Sequence, residues 1–466
     1  MMKNRFKKGI LSLAAALMLL LLPVFSCCAS ATEIDFGVEI TAEACYIVNM
    51  NTERVIFQQN ATKQMYPASC TKIMTAALAL EMCPDPHNTI VTVPAGVWNE
   101  FDGINISNAG LAGGEEMTMY DLVCCMLLQS ANEAASTVAN YYGREEFISK
   151  MNAKARSLGC TGTHFTNPHG LYNAEHYTTA EDLFKITKWA LTVPDFWDIT
   201  CMARYTLPET NRHYERELIT TNKMQEYTSG YYTEYIRGIK TGTIDESGRC
   251  FVTAADKDGV VYVAVFLGAP FDVDTRRWGS GNSVFTNARL TFDWLYRNVS
   301  MQAVAPEGTP VTEVTLKYAA EKDYLMLYTE EPVLTLVNAD SDEDPVLTFE
   351  SEVPEDIEAP VSAGQVIGKT KIYSDGIYVG EVNLVSAEDI KMSRISRLLD
   401  FISRILTSIP AMVIYALILV FGAFYVYYML VVIPRKQRAA EKRRERQQKL
   451  EAAQRLRNRR NGSGEG

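Results

Sequence analysis

Apolar and polar residues along this chain change their period several times, and each change marks a different kind of element. Tyr46-Ile47-Val48 and Val55-Ile56-Phe57 flank a polar turn at Asn49 to Glu53, which predicts a hairpin. A helical period follows: Pro67 suits a first turn, Ile73, Met74, Ala77, Leu78 and Leu80 share the apolar side, and Pro84 stops the run. Thr118 with Asp121 three residues on predicts a cap for a helix over Met119 to Leu128. The pattern loosens at Gln129 to Asn132, resumes as helix, and ends near Gly143. Phe147, Ile148, Met151, Ala155 and Leu158 predict another amphipathic helix closed by Gly159, and Thr179 with Asp182 caps one running through Leu191.

Beyond residue 249 the period drops to two. Cys250–Ala255 and Val260–Leu267 read as strands joined by Asp256-Lys257-Asp258-Gly259, and Ser283–Asn298 reads as a closing helix. Helices in the middle with paired strands at both ends predict an α+β fold whose terminal strands meet in one antiparallel sheet. From about 305 to 386 the chain lacks Cys, Trp and His. There Val311–Tyr318, Leu325–Tyr328, Val333–Val337, Lys371–Tyr373 and Val382–Val385 predict a small all-β domain. From Ser386, the positions Ile390, Ile395, Leu398, Leu399, Ile402, Leu406 and Ile409 predict an amphipathic linker helix.

The two ends carry targeting information. Lys3, Arg5, Lys7 and Lys8 precede an apolar run from Ile10 to Phe25 and the small residues Ala29-Ser30-Ala31, the form of an export signal. Val24-Phe25-Ser26-Cys27 also has the form of a lipoprotein cleavage site, so cleavage after Ala31 and lipidation at Cys27 stay open. Ile409 to Ile433 carries no charge and is long enough to cross a bilayer as a helix. The tail from Arg435 has a net charge of +8, which by the positive-inside rule makes it cytoplasmic and everything between leader and span extracellular. The expected division is therefore 1–31 signal, 32–300 catalytic domain, 305–386 all-β domain, 387–408 linker helix, 409–433 span and 434–466 basic tail.

Charge narrows the partners. Setting aside the +8 of the tail and the +4 of the leader, the overall −11 leaves −23 for residues 32–434, which argues against nucleic acid. Eight of the ten cysteines lie outside the leader, none as a CxxC pair, and no helical His-x-x-x-His pair or Cys/His cluster is present. No cofactor or metal is expected.

Three short strings remain: Ser69-Cys70-Thr71-Lys72, Ser130-Ala131-Asn132 and Lys240-Thr241-Gly242, the last followed by Thr243. On a helix Ser69 and Lys72 stand one turn apart, so the amine can deprotonate the hydroxyl. A lysine acting as a base near neutral pH must be kept neutral, which burial and a neighbouring cation such as Lys240 achieve. Ser130 can relay a proton to a leaving amine, while the Asn132 amide bonds a substrate peptide group. Lys240, Thr241 and Thr243 can hold a terminal carboxylate, Gly242 lets substrate backbone approach, and the Ser69 and Thr243 N–H groups can form an oxyanion hole.

Here the chain resembles the serine D-alanyl-D-alanine carboxypeptidases, the low-molecular-mass penicillin-binding proteins. The resemblance rests on Pro67-Ala68-Ser69-Cys70-Thr71-Lys72-Ile73-Met74-Thr75, Phe165-Thr166-Asn167-Pro168-His169-Gly170-Leu171, His176-Tyr177-Thr178-Thr179-Ala180 and Gly238-Ile239-Lys240-Thr241-Gly242-Thr243, within a reach of about 40 to 390. It implies a DD-peptidase-like transpeptidase fold followed by a small all-β C-terminal domain. It implies Ser69 as acylated nucleophile, Lys72 as general base, Ser130 and Asn132 as relay and substrate contact, and Lys240, Thr241 and Thr243 as carboxylate and oxyanion site. The implied substrate is a peptidoglycan stem peptide ending in D-Ala-D-Ala, with β-lactams as covalent inhibitors. A serine β-lactamase shares the three strings, but the Glu-x-x-Leu-Asn string of its class A is missing between 133 and 239. A Ser-His-Asp hydrolase would need a histidine base, and His169, the best placed of five, reads as a loop brace. An inactive ectodomain that binds wall peptides is the rival from another class, and the complete acylation set argues against it.

Overall fold

A computed structural model describes Ile34, 36–271, 283–339, 346–374 and 376–461. The leader expected over 1–31 lies outside these residues. The chain divides into two compact units. One takes the described residues up to Thr309 with 329–352 and 369–383; the other takes 310–328, 353–368 and the chain from Leu384 onward.

In the first unit, β1 (Ala44–Asn49) and β2 (Val55–Gln59) form the expected hairpin. They join β3 (Ile236–Ile244), β4 (Gly248–Lys257) and β5 (Val260–Ala269) in one antiparallel sheet of order β2-β1-β5-β4-β3. Ends of the unit far apart in sequence thus meet at the β1–β5 pair, where Ile47 stands opposite Ala264. Both faces of the sheet are covered. Along β5, Val263, Val265 and Leu267 enter one core, while Tyr262, Ala264 and Phe266 enter another with Phe285, Phe292 and Leu295 of the closing helix Ser283–Asn298. A strand buried on both sides has no polar face to alternate with, which is why this run is apolar throughout.

The first of these cores is mostly helical. It holds α1 (Thr71–Met82), α2 (Met119–Leu128), α3 (Asn132–Tyr141), α4 (Arg144–Ser157) and α5 (Ala180–Ala190). In α1 every residue from Thr71 to Leu80 is buried, the mark of a central helix rather than a half-exposed one. The expected caps are in place: Thr118 accepts the Asp121 N–H and Thr179 the Asp182 N–H, each at 3.0 Å. α1 starts later than Pro67, because Ala68–Cys70 is a 3-10 turn that runs directly into it. The short hairpin Arg204–Leu207 with Arg216–Ile219 had no alternating apolar signal and was not expected.

Strands fill the stretch after Val299, and they fall in both units. Val299–Ala305 pairs with Val333–Asn338, and Leu347–Glu352 with Val366–Ser374. In the second unit, Pro310–Lys317 pairs antiparallel with Tyr324–Thr329 and parallel with Asp356–Glu358 around a core of Val314, Leu316, Leu325, Leu327 and Leu384. Ile390 belongs to this core, bridged to Val361, and not to the linker helix expected to include it. That helix, α6 (Arg394–Leu406), opens only at the Ser393 cap. It exposes Leu398, Leu399, Phe401 and Ile405, while Tyr318 donates to Asp400 at 2.8 Å and accepts from Arg404 at 2.9 Å. The helix Ile409–Tyr427, a π turn Tyr428–Val432 and the basic helix Ile433–Asn461 follow without a break. Among the described residues this continuous helix is the one long and apolar enough to cross a membrane, by length and composition.

Candidate active site

The site is built where the turn before α1, the break between α2 and α3, the loop 165–171 and the edge strand β3 come together. Ser69 lies in the 3-10 turn and Lys72 in the first turn of α1. The Lys72 amine is wholly buried and donates to Ser69 Oγ at 3.0 Å, Asn132 Oδ1 at 2.7 Å and the His169 carbonyl at 2.7 Å. Three acceptors saturate an ammonium, whereas the neutral amine donates to two of them and turns its lone pair to the Ser69 hydroxyl. Burial depresses its pKa well below the ordinary lysine value, the Lys240 charge depresses it further, and the buried Glu133 carboxylate acts the other way. This is the environment a basic lysine requires.

The break that carries Ser130 has a structural cause. Ser130 adopts left-handed backbone, φ +60°, and Ala131 N–H bonds back to the Cys125 carbonyl before Asn132 opens α3. Asn132 is anchored through its backbone N–H and Nδ2, which reach the Ser107 carbonyl at 3.0 and 3.1 Å. Among the described residues no hydrogen bond links Ser130 to Lys72 or Lys240, although its side chain is buried beside Asn132.

Loop 165–171 backs the nucleophile turn. Asn167 Oδ1 accepts the Gly170 N–H at 2.7 Å and its Nδ2 donates to the Leu171 carbonyl at 3.0 Å, closing a tight turn. Gly170 has φ +87°, and a Cβ there would stand 1.9 Å from the Ala68 carbonyl oxygen, so no side chain fits. His176 Nε2 sits 2.8 Å from Thr71 Oγ1, which donates to that same carbonyl, while its Nδ1 accepts the Thr166 N–H. His169 takes the Leu171 N–H on Nδ1 and faces Glu100 at 3.6 Å. Burial lowers His169 to about 4 and His176 to about 3, so both are neutral at physiological pH. Both histidines brace loops.

On β3, Lys240 is buried, its pKa lowered to about 8 by desolvation, and its amine donates to the Thr241 carbonyl at 3.0 Å. Thr241 Oγ1 pairs with Thr221 Oγ1 at 2.7 Å, and Thr243 Oγ1 donates to the Gly242 carbonyl at 2.7 Å. Gly242 was expected to make room for substrate backbone. Its Cβ position meets Pro67 O at 3.0 Å and Cys70 N at 3.2 Å, so glycine here also lets β3 pack onto the turn that carries Ser69. The third string is on the edge strand, as its flanks implied.

Sequence reasoning missed Thr221, Glu133 and the Ser107 carbonyl. Thr221 and Ser107 sit in polar loops and give no signal of their own. Glu133 did give one: a carboxylate placed inside the apolar helical stretch right after Asn132. The eight cysteines outside the leader are all free, and Cys124 and Cys125 are core thiols as their apolar run implied.

Comparison with known proteins gives the family and the fold. Residues 300–392 match the penicillin-binding protein 5 C-terminal domain. The D-alanyl-D-alanine carboxypeptidase DacF of Bacillus subtilis is 27% identical over 354 residues, covering 75% of this chain and 86% of that protein. Two solved structures share the fold. A peptidoglycan synthesis regulatory factor (PBP3) of Streptococcus pneumoniae aligns with a TM-score of 0.62 at 20% identity, over 76% of this chain and 100% of that one. Penicillin-binding protein 5 of Haemophilus influenzae aligns with a TM-score of 0.58 at 22% identity, over 76% and 98%. Residues 29–271 match the D-alanyl-D-alanine carboxypeptidase family model, more than half of the chain, and the protein belongs to that family of serine peptidases.

Proposed function

We propose that this serine-type D-Ala-D-Ala carboxypeptidase trims the terminal D-alanine from peptidoglycan stem peptides with the residues of the three strings in distinct roles. The observation that carries the assignment is the buried Lys72 amine, 3.0 Å from Ser69 Oγ and held well below its ordinary pKa. Neutral Lys72 takes the Ser69 proton as Oγ attacks the carbonyl of the penultimate D-alanine. The resulting oxyanion faces the N–H groups of Ser69 and Thr243. As the tetrahedral intermediate collapses, the C–N bond breaks, Ser130 gives its proton to the departing amine and takes up the one Lys72 holds. Water then loses a proton to Lys72 as it attacks the ester, the acyl C–O bond to Ser69 breaks, Oγ takes that proton back from Lys72, and the shortened peptide leaves. Asn132 bonds a substrate amide, while Lys240 with Thr241 receives the terminal carboxylate beside the close-packed Gly242. β-Lactams enter the same site and acylate Ser69.

The location follows from the ends of the chain. The apolar helix from Ile409 anchors the protein in the bacterial cell membrane, with the acidic bulk outside and the basic segment after Arg435 in the cytoplasm. The working division is a catalytic domain over 32–300, the all-β domain over 305–386, the linker helix, the span and the tail. A test is mass spectrometry of a D-Ala-D-Ala-terminated peptide incubated with the protein in ¹⁸O-water. Loss of one alanine with a single ¹⁸O in the new carboxylate supports the reading. An untouched peptide contradicts it, and rapid benzylpenicillin turnover would favour a β-lactamase.

A further inference from the structure

α3 begins with Asn132, whose side chain holds Lys72, and the next residue is a carboxylate with no exposed surface. Glu133 Oε1 accepts the Ala109 N–H at 2.6 Å and the Leu111 N–H at 3.4 Å. Its Oε2 is buried without a hydrogen-bond partner. Asn132 grips the same loop two residues earlier, donating from its backbone N–H and Nδ2 to the Ser107 carbonyl. The pair Asn132-Glu133 therefore pins the loop 107–111 at successive points, and its other side pins Lys72. A half-satisfied buried carboxylate is an expensive way to brace a loop, because burial disfavours the charge and the second oxygen gains nothing in return. A neutral side chain would do so at lower cost. The carboxylate charge must serve something else.

We propose that Glu133 is a positioning residue for acyl transfer: together with Asn132 it clamps loop 107–111 so that Asn132 stays on Lys72, and it keeps a buried carboxylate next to the residue that grips the Lys72 amine. The assignment rests on Lys72 acting as that base. Lys72 lies between opposed influences: Lys240 lowers its proton affinity, while Glu133 raises it. His169 and His176, which feel the Lys72 charge, are neutral above about pH 4 and contribute no competing charge. Around Glu133, burial raises the carboxyl pKa above its ordinary value, and the amides of Ala109, Leu111 and Glu133 itself, with Lys72, offset only part of that rise. The Cys125 thiol, which feels Glu133 along with Arg216 and Asp121, is held protonated by burial. Among the described residues Lys72 is the leading cationic influence on Glu133.

Two variants separate clamp from charge. Glu133→Gln keeps an acceptor for the Ala109 and Leu111 amides and removes the charge; Glu133→Asp keeps the charge and shortens the reach. The rate of acylation by fluorescent penicillin is measured from pH 5 to 9 on the full chain in detergent micelles, with folding checked by circular dichroism. In Glu133→Gln the acid limb of the rate profile moves to lower pH by about one unit, since Lys72 loses its counter-charge. In Glu133→Asp the limb stays in place and the rate falls about tenfold at every pH as the clamp loosens. A Gln profile that superimposes on the parent's, or an Asp variant that acylates at the parent's rate, overturns the proposal. The parent must itself label at Ser69 for the comparison to be run, so either result leaves the acyl-transfer reading standing.

Discussion

The catalytic unit buries charges, and the C-terminal segment exposes hydrocarbon. Lys72, Lys240 and Glu133 have essentially no accessible surface, whereas Leu398, Phe401, Ile414, Leu419 and Phe421 are each more than half exposed. Each region inverts the ordinary rule that apolar groups go inside and charges outside. The inversions differ in what sustains them. Buried ionisable groups persist because a web of specific partners holds them, and desolvation lowers the proton affinity of Lys72 as its role needs. Exposed hydrocarbon on a helix long and apolar enough to cross a membrane suits a different solvent, the bilayer.

Removing the second region tests this separation most drastically. A chain ending at Ser393 lacks α6 and every helix after it; it moves from the membrane to the soluble fraction on cell fractionation while keeping penicillin labelling within about twofold. Loss of labelling would tie the two regions together. Within the catalytic unit, Lys72→Ala slows acylation by roughly 10²–10⁴-fold, measured by quenched-flow labelling, because the general base is gone. A rate near the parent's would remove Lys72 from the mechanism. Next comes Gly170→Ala, which forces a methyl into the Ala68 carbonyl at a positive φ and costs about 3 kcal/mol in denaturant unfolding. An unchanged midpoint would mean that the loop yields freely.

How much of this was legible in the sequence depends on the kind of constraint. Ser69 and Lys72 were readable because one helical turn fixes their spacing, and Thr118 and Thr179 because a cap is a local bond. The strand pattern around Val263 was readable because the run is apolar on both faces. The packing role of Gly242 was hidden, since it lies across the fold, in the Pro67–Cys70 turn that packs against it. Ile390 was assigned to the linker helix as the first of a series of apolar positions, but a bridge to Val361 captures it in a β core. Thr221 lies in a loop whose contact with Thr241 only the folded chain creates.

A smaller effect follows from His169. The unfolded chain takes up a proton at this histidine near pH 6.5, whereas the folded chain resists until about pH 4. The native state therefore loses stability as pH falls through this window, by about 2–3 kcal/mol, and keeps all of it above pH 6.5. His169→Gln flattens that part of the stability curve, read as urea midpoints at pH 7 and 4.5. An equal drop in parent and variant would place the charge penalty elsewhere, with His176 the next group to examine.

The central claim is that a buried neutral lysine activates Ser69. The most direct measurement is the mass of the intact protein after benzylpenicillin, followed by peptide mapping of the adduct in the parent and in Ser69→Ala. A single adduct on Ser69, absent from the variant and forming more slowly as pH falls toward protonation of Lys72, is the predicted result. An adduct on another residue, or one that forms at the same rate across that pH range, would contradict the account.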